Sequence, residues 1–141
     1  MDKWIHRIFI FLVVWEDIMN YYLSGWKKYA VFSGRSRRRE YWTFGLVNAA
    51  IIFILGLIGG VFTGSFMENL NILPMIPYMI FVLAVLIPSI AMTVRRLHDT
   101  NRSGAWYLLV FVPFGQIVIL VFTLMDGTVG ENNYGADPKG R

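Results

Sequence analysis

Nearly every side chain in this sequence that could do chemistry falls in three short polar segments. The first runs from Phe32 to Trp42, FSGRSRRREYW. Its dense guanidinium groups suit phosphate oxygens, whose spacing the planar fork matches. They equally suit a topogenic anchor that holds a helix end at the membrane surface. The second is RRLHDTNRSG, Arg95 to Gly104, in which a continuing helix would place Arg95, His98, Asp99 and Arg102 at i, i+3, i+4 and i+7 on one face. His98 beside Asp99 could then act as an acid/base pair or as metal ligands, with the arginines holding an anion. The competing expectation is an ion-paired helix connection, with Asp99 pairing with Arg95 or capping the next helix and Ser103 as another cap candidate. Adjacent helical side chains diverge by about 100°, and one His with one Asp is too small a set for a metal ion. The third segment, Asp126 to Arg141, is rich in Gly and Asn and reads as turns. It lacks the Gly-Lys-Ser/Thr spacing of a phosphate loop. It is expected to be disordered unless Tyr134 and Glu131 dock on the basic loops.

These segments are separated by apolar blocks that set the class of the protein. Of 141 residues, 56% are hydrophobic and 16% are charged, whereas soluble domains carry roughly 25% charge. Tyr41 to Thr63 is an uncharged stretch of about 23 residues, extending about 34 Å as a helix against a hydrocarbon core of about 30 Å. Met75 to Val94 is a second such stretch, and Ser103 to Met125 a third, with Trp106 and Tyr107 at an interfacial position. Three buried helices of a soluble bundle would need a polar outer stripe, which these runs lack. Pro88 predicts a kink in the second span. Pro113-Phe114-Gly115 splits the third run, where it predicts either a kink or the turn of a re-entrant hairpin with halves of about ten residues each. The single kinked span is the preferred expectation.

Basic residues orient the chain, because Lys and Arg near span ends stay cytoplasmic. Lys27, Lys28, Arg35, Arg37, Arg38 and Arg39 precede the first span, and Arg95, Arg96 and Arg102 fill the link between the second and third. Both groups belong inside. The link around Gly64 to Pro74 carries Glu68 and no Lys or Arg, which suits the opposite face. A single third span places the tail outside, and a re-entrant one keeps it inside. At the N-terminus, Lys3, His6 and Arg7 precede the apolar run Ile8 to Trp15, and Glu16-Asp17 follow where a signal peptide would need small residues. Residues 1–18 therefore read as an interfacial amphipathic helix, or as an extension ahead of a start at Met19. The chain has no cysteine, which excludes disulfides and thiolate metal sites.

The three segments, in this order and with hydrophobic spans between them, resemble the bacterial inner-membrane family called domain of unknown function 805. The likeness lies in FSGRSRRREYW, RRLHDTNRSG followed by an aromatic, and DGTVGENNYGADPKG, and covers nearly everything from Met19 onward. Ala105 departs from the pattern, where members commonly carry the first of two tryptophans, and Met1 to Ile18 has no counterpart. The resemblance implies an inner-membrane location and no established activity, so it brings no catalytic residues with it.

The expectation is an all-α polytopic membrane protein of about three transmembrane helices, with an N-terminal interfacial helix and a single membrane domain from residue 19 to 141. Its candidate polar cluster is Arg35, Arg38, Glu40, Arg95, Arg96, His98, Asp99 and Arg102; no catalytic residue, metal ligand or cofactor is assigned. The preferred role is non-enzymatic assembly with itself or a membrane partner, through Asn48, Gly56, Gly59, Gly60 and Ser89. The alternatives are an anionic lipid- or solute-binding transport component using the arginines, and a membrane enzyme using His98 and Asp99. Membrane lipids are expected partners and nucleic acid is not, since the basic run is short and close to the bilayer.

Overall fold

A computed structural model describes residues 2–64 and 72–141. The described residues contain four α-helices: α1 (Asp2–Lys27), α2 (Arg38–Gly64), α3 (Ile76–Asp99) and α4 (Gly115–Leu124). A short 3-10 turn, Leu73–Met75, leads into α3, and a 3-10 helix, Gly104–Phe111, precedes α4. Among the described residues, three stretches are long and apolar enough to cross a membrane, Lys3–Lys27, Arg38–Val61 and Leu73–Asp99. The predicted link carrying Glu68 falls largely outside the described residues.

Two expected boundaries are revised. The N-terminal helix does not stop at residue 18 but continues through Met19 to Lys27. Its C-terminal end packs antiparallel on α2, where Tyr22 stacks on Phe44 at 5.6 Å and donates to Asn48 Oδ1 at 3.2 Å. A Cβ on Gly25 would lie 2.3 Å from the Phe44 ring, so only glycine permits this approach. Phe44, Val85 and Met92 form the buried core, with Tyr22, Trp26, Tyr41 and Ile52 packed against them. α1 is long and apolar enough to be a span, and unlike the uncharged runs of α2 and α3 it carries Glu16 and Asp17 within its length.

The third predicted span, 103–125, is not one kinked helix. The 3-10 helix runs away from the end of α3, the chain turns at Pro113-Phe114, and α4 returns. The turn closes through Gly115 N–H to the Val112 carbonyl at 2.9 Å, with Phe114 in the left-handed region (φ 63). A Cβ on Gly115 would fall 2.0 Å from the Leu109 carbonyl oxygen, and Trp106 meets Phe122 edge-on at 5.5 Å, so the two halves lie against one another. The Gln116 amide donates to the Val110 carbonyl at 3.0 Å, meeting an acceptor that the broken helix frees. Eight 3-10 residues rise about 16 Å, and ten α-helical residues about 15 Å. Neither half reaches across a core of about 30 Å. The segment is a re-entrant hairpin, and it returns the tail to the end of the molecule that carries the arginines.

Proline and glycine positions explain the rest. Pro88 is buried within α3 without ending it. Gly59 packs where a Cβ would meet Met75 Sδ at 2.6 Å, and Gly56 faces Tyr78. Asn48 donates to the Phe44 carbonyl at 2.8 Å. Asn48, Gly56 and Gly59, expected to mediate association between chains, are thus engaged within this one.

Candidate functional site

Helix α3 ends in a way that fixes everything around it. Asn101 adopts the left-handed conformation (φ 56), Asn101 N–H donates to the His98 carbonyl at 2.9 Å, and Arg102 N–H reaches the Leu97 carbonyl at 3.0 Å. This is a Schellman termination with Asn at the position usually held by Gly. It stops the helix at Asp99, so Arg102 does not share the helical face predicted for Arg95, His98 and Asp99. Arg102 instead donates to the Thr100 carbonyl at 3.1 Å and lies 4.0 Å above the Phe122 ring.

Asp99 is the centre of a buried ionic clamp. Its carboxylate accepts from Arg35 Nε at 3.0 Å and from Arg96 Nη1, and it is 1% exposed. Arg96, fully buried, also donates to the carbonyls of Thr123 at 3.2 Å and Met125. Arg35 continues outward to the carbonyls of Thr128 at 2.6 Å, Gly130 at 2.7 Å and Gly135 at 3.2 Å. Two guanidiniums thus bind one carboxylate, and their remaining N–H groups hold the end of α4 and the tail. Charged groups out of water are tolerated only when hydrogen-bonded this fully.

The tail is ordered by these donors. Thr128 N–H donates to the Asp99 carbonyl at 2.9 Å, and Asn132 Nδ2 donates to the His98 carbonyl at 2.9 Å. Asn132 and Gly135 exchange backbone bonds across a tight turn. Tyr134 docks, stacking on His98 at 3.9 Å, so the tail is not the disordered segment expected; Glu131 remains exposed. Gly127 is required by contact rather than by conformation, since a Cβ there would fall 2.1 Å from Asp99 Oδ2. Lys139 donates to Asp126 at 3.2 Å on the exposed rim. That hydrogen bond and the Lys139 charge hold the Asp126 carboxyl below its ordinary range.

The candidate cluster therefore divides. Arg35, Arg96 and Asp99 meet, with His98 alongside. Arg95, expected on Asp99, goes to the carbonyls of Lys28 at 2.7 Å and Val31, and its own carbonyl accepts Ser36 N–H at 3.1 Å. Glu40 accepts Arg37 N–H at 3.0 Å and the Ser36 hydroxyl at 2.9 Å, half of a capping box at the start of α2. The Ser103 hydroxyl caps the 3-10 helix by accepting Ala105 N–H at 3.2 Å, as predicted. The His98 ring meets the Gly34 carbonyl at 3.1 Å through Nδ1, while Asp99 faces Arg35 and Arg96. The two do not form an acid/base pair. Arg38 joins none of these groups. Among the residues not anticipated, Asn101 carried a readable signal, an Asn just past a helix end rich in basic residues. Gly127 carried none, because its need for a bare Cα arises only from Asp99.

The sequence pattern described as "Protein of unknown function (DUF805)" matches residues 29–136. The chain belongs to this DUF805 family. The match contains Arg35, Arg96, Asp99 and the tail from Gly127 to Gly135, so the clamp lies within the family domain. Inner membrane protein YhaI of Escherichia coli K12 is 50% identical over 127 residues, covering 86% of this chain and 97% of that protein. Inner membrane protein YhaH of the same organism is 43% identical over 122 residues, covering 86% and 98%. The uncharacterized protein YiiR is 32% identical over 133 residues, covering 75% and 84%. No solved structure is significantly similar. With three helices able to cross a bilayer and relatives named for the inner membrane, this DUF805 chain is a multi-pass inner-membrane protein.

Proposed function

We propose that this protein is non-enzymatic and works by self-association in the membrane, with α1 as the assembling element. The observation that carries this reading is the state of α1. Trp4, Ile8, Phe11, Trp15, Met19, Tyr22 and Trp26 follow one another at intervals of three or four, forming a single stripe. Its last members, Tyr22 and Trp26, are the ones packed on α2 and the core. Nearer the N-terminus, Trp4, Ile8, Phe11 and Trp15 continue the same face and are uncovered, each more than half exposed, while Met19 between the two groups is 37% exposed.

Glu16 and Asp17 lie off this stripe, Asp17 on the face of Val13. They lie about 15 Å from the basic end of α1 at 1.5 Å per residue, and make no ion pair among the described residues. Ionisable groups at such depth are expensive without a polar partner. A second copy packed on the stripe supplies apolar surface and no cation at that depth, so the case for self-association rests on the stripe. The polar groups of the basic end support a structural rather than a catalytic role, since Asp99, Arg35 and Arg96 are occupied by one another and by carbonyls.

The absence of native cysteine makes the test direct. Single cysteines at Ile8, Phe11 and Trp15 should form disulfide-linked dimers on oxidation in native membranes, while those at Ile10 and Val13, on the opposite face, should not. No dimer at any stripe position would refute self-association. A cross-linked product of another mass would assign the stripe to a different protein.

A further inference from the structure

The arginines of the basic end fall into two sets. Arg35, Arg95, Arg96 and Arg102 are bonded within the chain. The side chains of Arg37, Arg38 and Arg39 make no hydrogen bond or ion pair among the described residues, and all three line one groove of about 690 Å³. Tyr21, Trp42 and Leu124 form its apolar walls, and Asp126 and Lys139 complete its lining. We propose that this groove binds the phosphate group of an anionic membrane lipid.

Four cations face one carboxylate here, and the Lys139–Asp126 pair is exposed and loosely held. A guanidinium presents paired donors that match two phosphate oxygens, and three of them converging on one groove leave a strong positive potential that the protein itself does not satisfy. The volume lies in the range of ligand sites, about 300–1,000 Å³. Geometry favours a lipid over a soluble phosphate. Trp42 stands in the first turns of the membrane-length helix α2, and Leu124 ends the re-entrant α4. Acyl chains would run along these apolar walls while the headgroup meets the arginines. The walls are held in place, since Trp42 Nε1 donates to the Thr123 carbonyl at 3.3 Å, the same carbonyl that Arg96 binds. The groove's Trp42 wall thus shares the Thr123 carbonyl with the clamp that seats the tail. It is separate from the α1 stripe, so either proposal can fail without the other.

The intact protein is placed in discs of equal phosphatidylglycerol and phosphatidylcholine, and the bound lipid is counted by native mass spectrometry. The expected result is enrichment of phosphatidylglycerol, reduced about fivefold per charge in the R38Q and R39Q variants, as removal of one surface cation near a membrane predicts. Asp126→Asn should increase retention by a similar factor, a gain that a misfolded protein cannot imitate. Arg7→Gln, outside the groove, should leave retention unchanged. No enrichment, equal loss in R7Q, or no gain in D126N overturns the proposal. Without phosphatidylglycerol enrichment, saturable binding of inorganic phosphate that R38Q abolishes would assign the groove to a soluble anion and overturn the lipid assignment.

Discussion

At the residue scale, the decisive pairing is Asp99 with Arg35 and Arg96. Breaking a buried pair by neutralising one member leaves the other charge uncompensated, at about 3–5 kcal/mol. Asp99→Asn and Arg35→Gln should each lower unfolding stability in detergent by that order, and the double variant should lose little beyond the larger single effect. Arg95→Gln should add independently, since Arg95 holds the carbonyls of Lys28 and Val31 instead. Additive losses for Arg35 and Asp99 would contradict a shared clamp. The sequence made the polar grouping legible but not its partners. Arg95 and Arg96 both stand within helical reach of Asp99. The choice falls to Arg96 because the loop after α1 presents carbonyls to Arg95, and nothing local to RRLHD encodes that. The His98–Asp99 acid/base alternative is unsupported by the geometry for the same reason, since Arg35 arrives from 64 positions away.

At the element scale, helix existence was readable from apolar length, and α2 and α3 lie where the uncharged runs predict. The third run was ambiguous because about 23 uncharged residues fit a span and a hairpin equally well. What selects the hairpin is tertiary: Trp42 and Arg96 take the Thr123 carbonyl, Arg96 takes Met125, and both anchor the end of α4 at the basic face. Pro113 and Gly115 permit the turn, and Gly115 also permits the close approach of Leu109. Gly115→Ala should therefore force the two halves apart, at about 1–3 kcal/mol, read as a fall in melting temperature in detergent. An unchanged melting temperature would mean that the halves do not pack as described. α1 runs past the expected boundary at residue 18. Its charged residues interrupt the apolar pattern enough to suggest a short interfacial piece, whereas its stripe of three- and four-residue steps runs unbroken from Trp4 to Trp26.

At the scale of the whole molecule, one end gathers the close of α1, the start of α2, the close of α3, both feet of the hairpin and the tail. The arginines explain why, because each of Arg35, Arg95 and Arg96 bridges segments far apart in sequence through backbone carbonyls. Basic residues that by position alone serve to orient a membrane protein here also build its cap. This arrangement makes the side of the tail a structural consequence of the clamp. Helices α2 and α3 bring the chain back to the basic end, and each half of the hairpin is too short to cross a core of about 30 Å.

The most direct test of this architecture uses single cysteines at two exposed positions in the cysteine-free chain, Ser33→Cys before α2 and Ala136→Cys in the tail. Each is challenged with a membrane-impermeant maleimide in right-side-out and inside-out vesicles. Both should label from the same face, the inside-out one by the placement of the arginines. Labelling of position 136 from the face opposite to position 33 would mean that residues 103–125 cross the membrane, and the clamp between Arg35, Asp99 and the tail could not form.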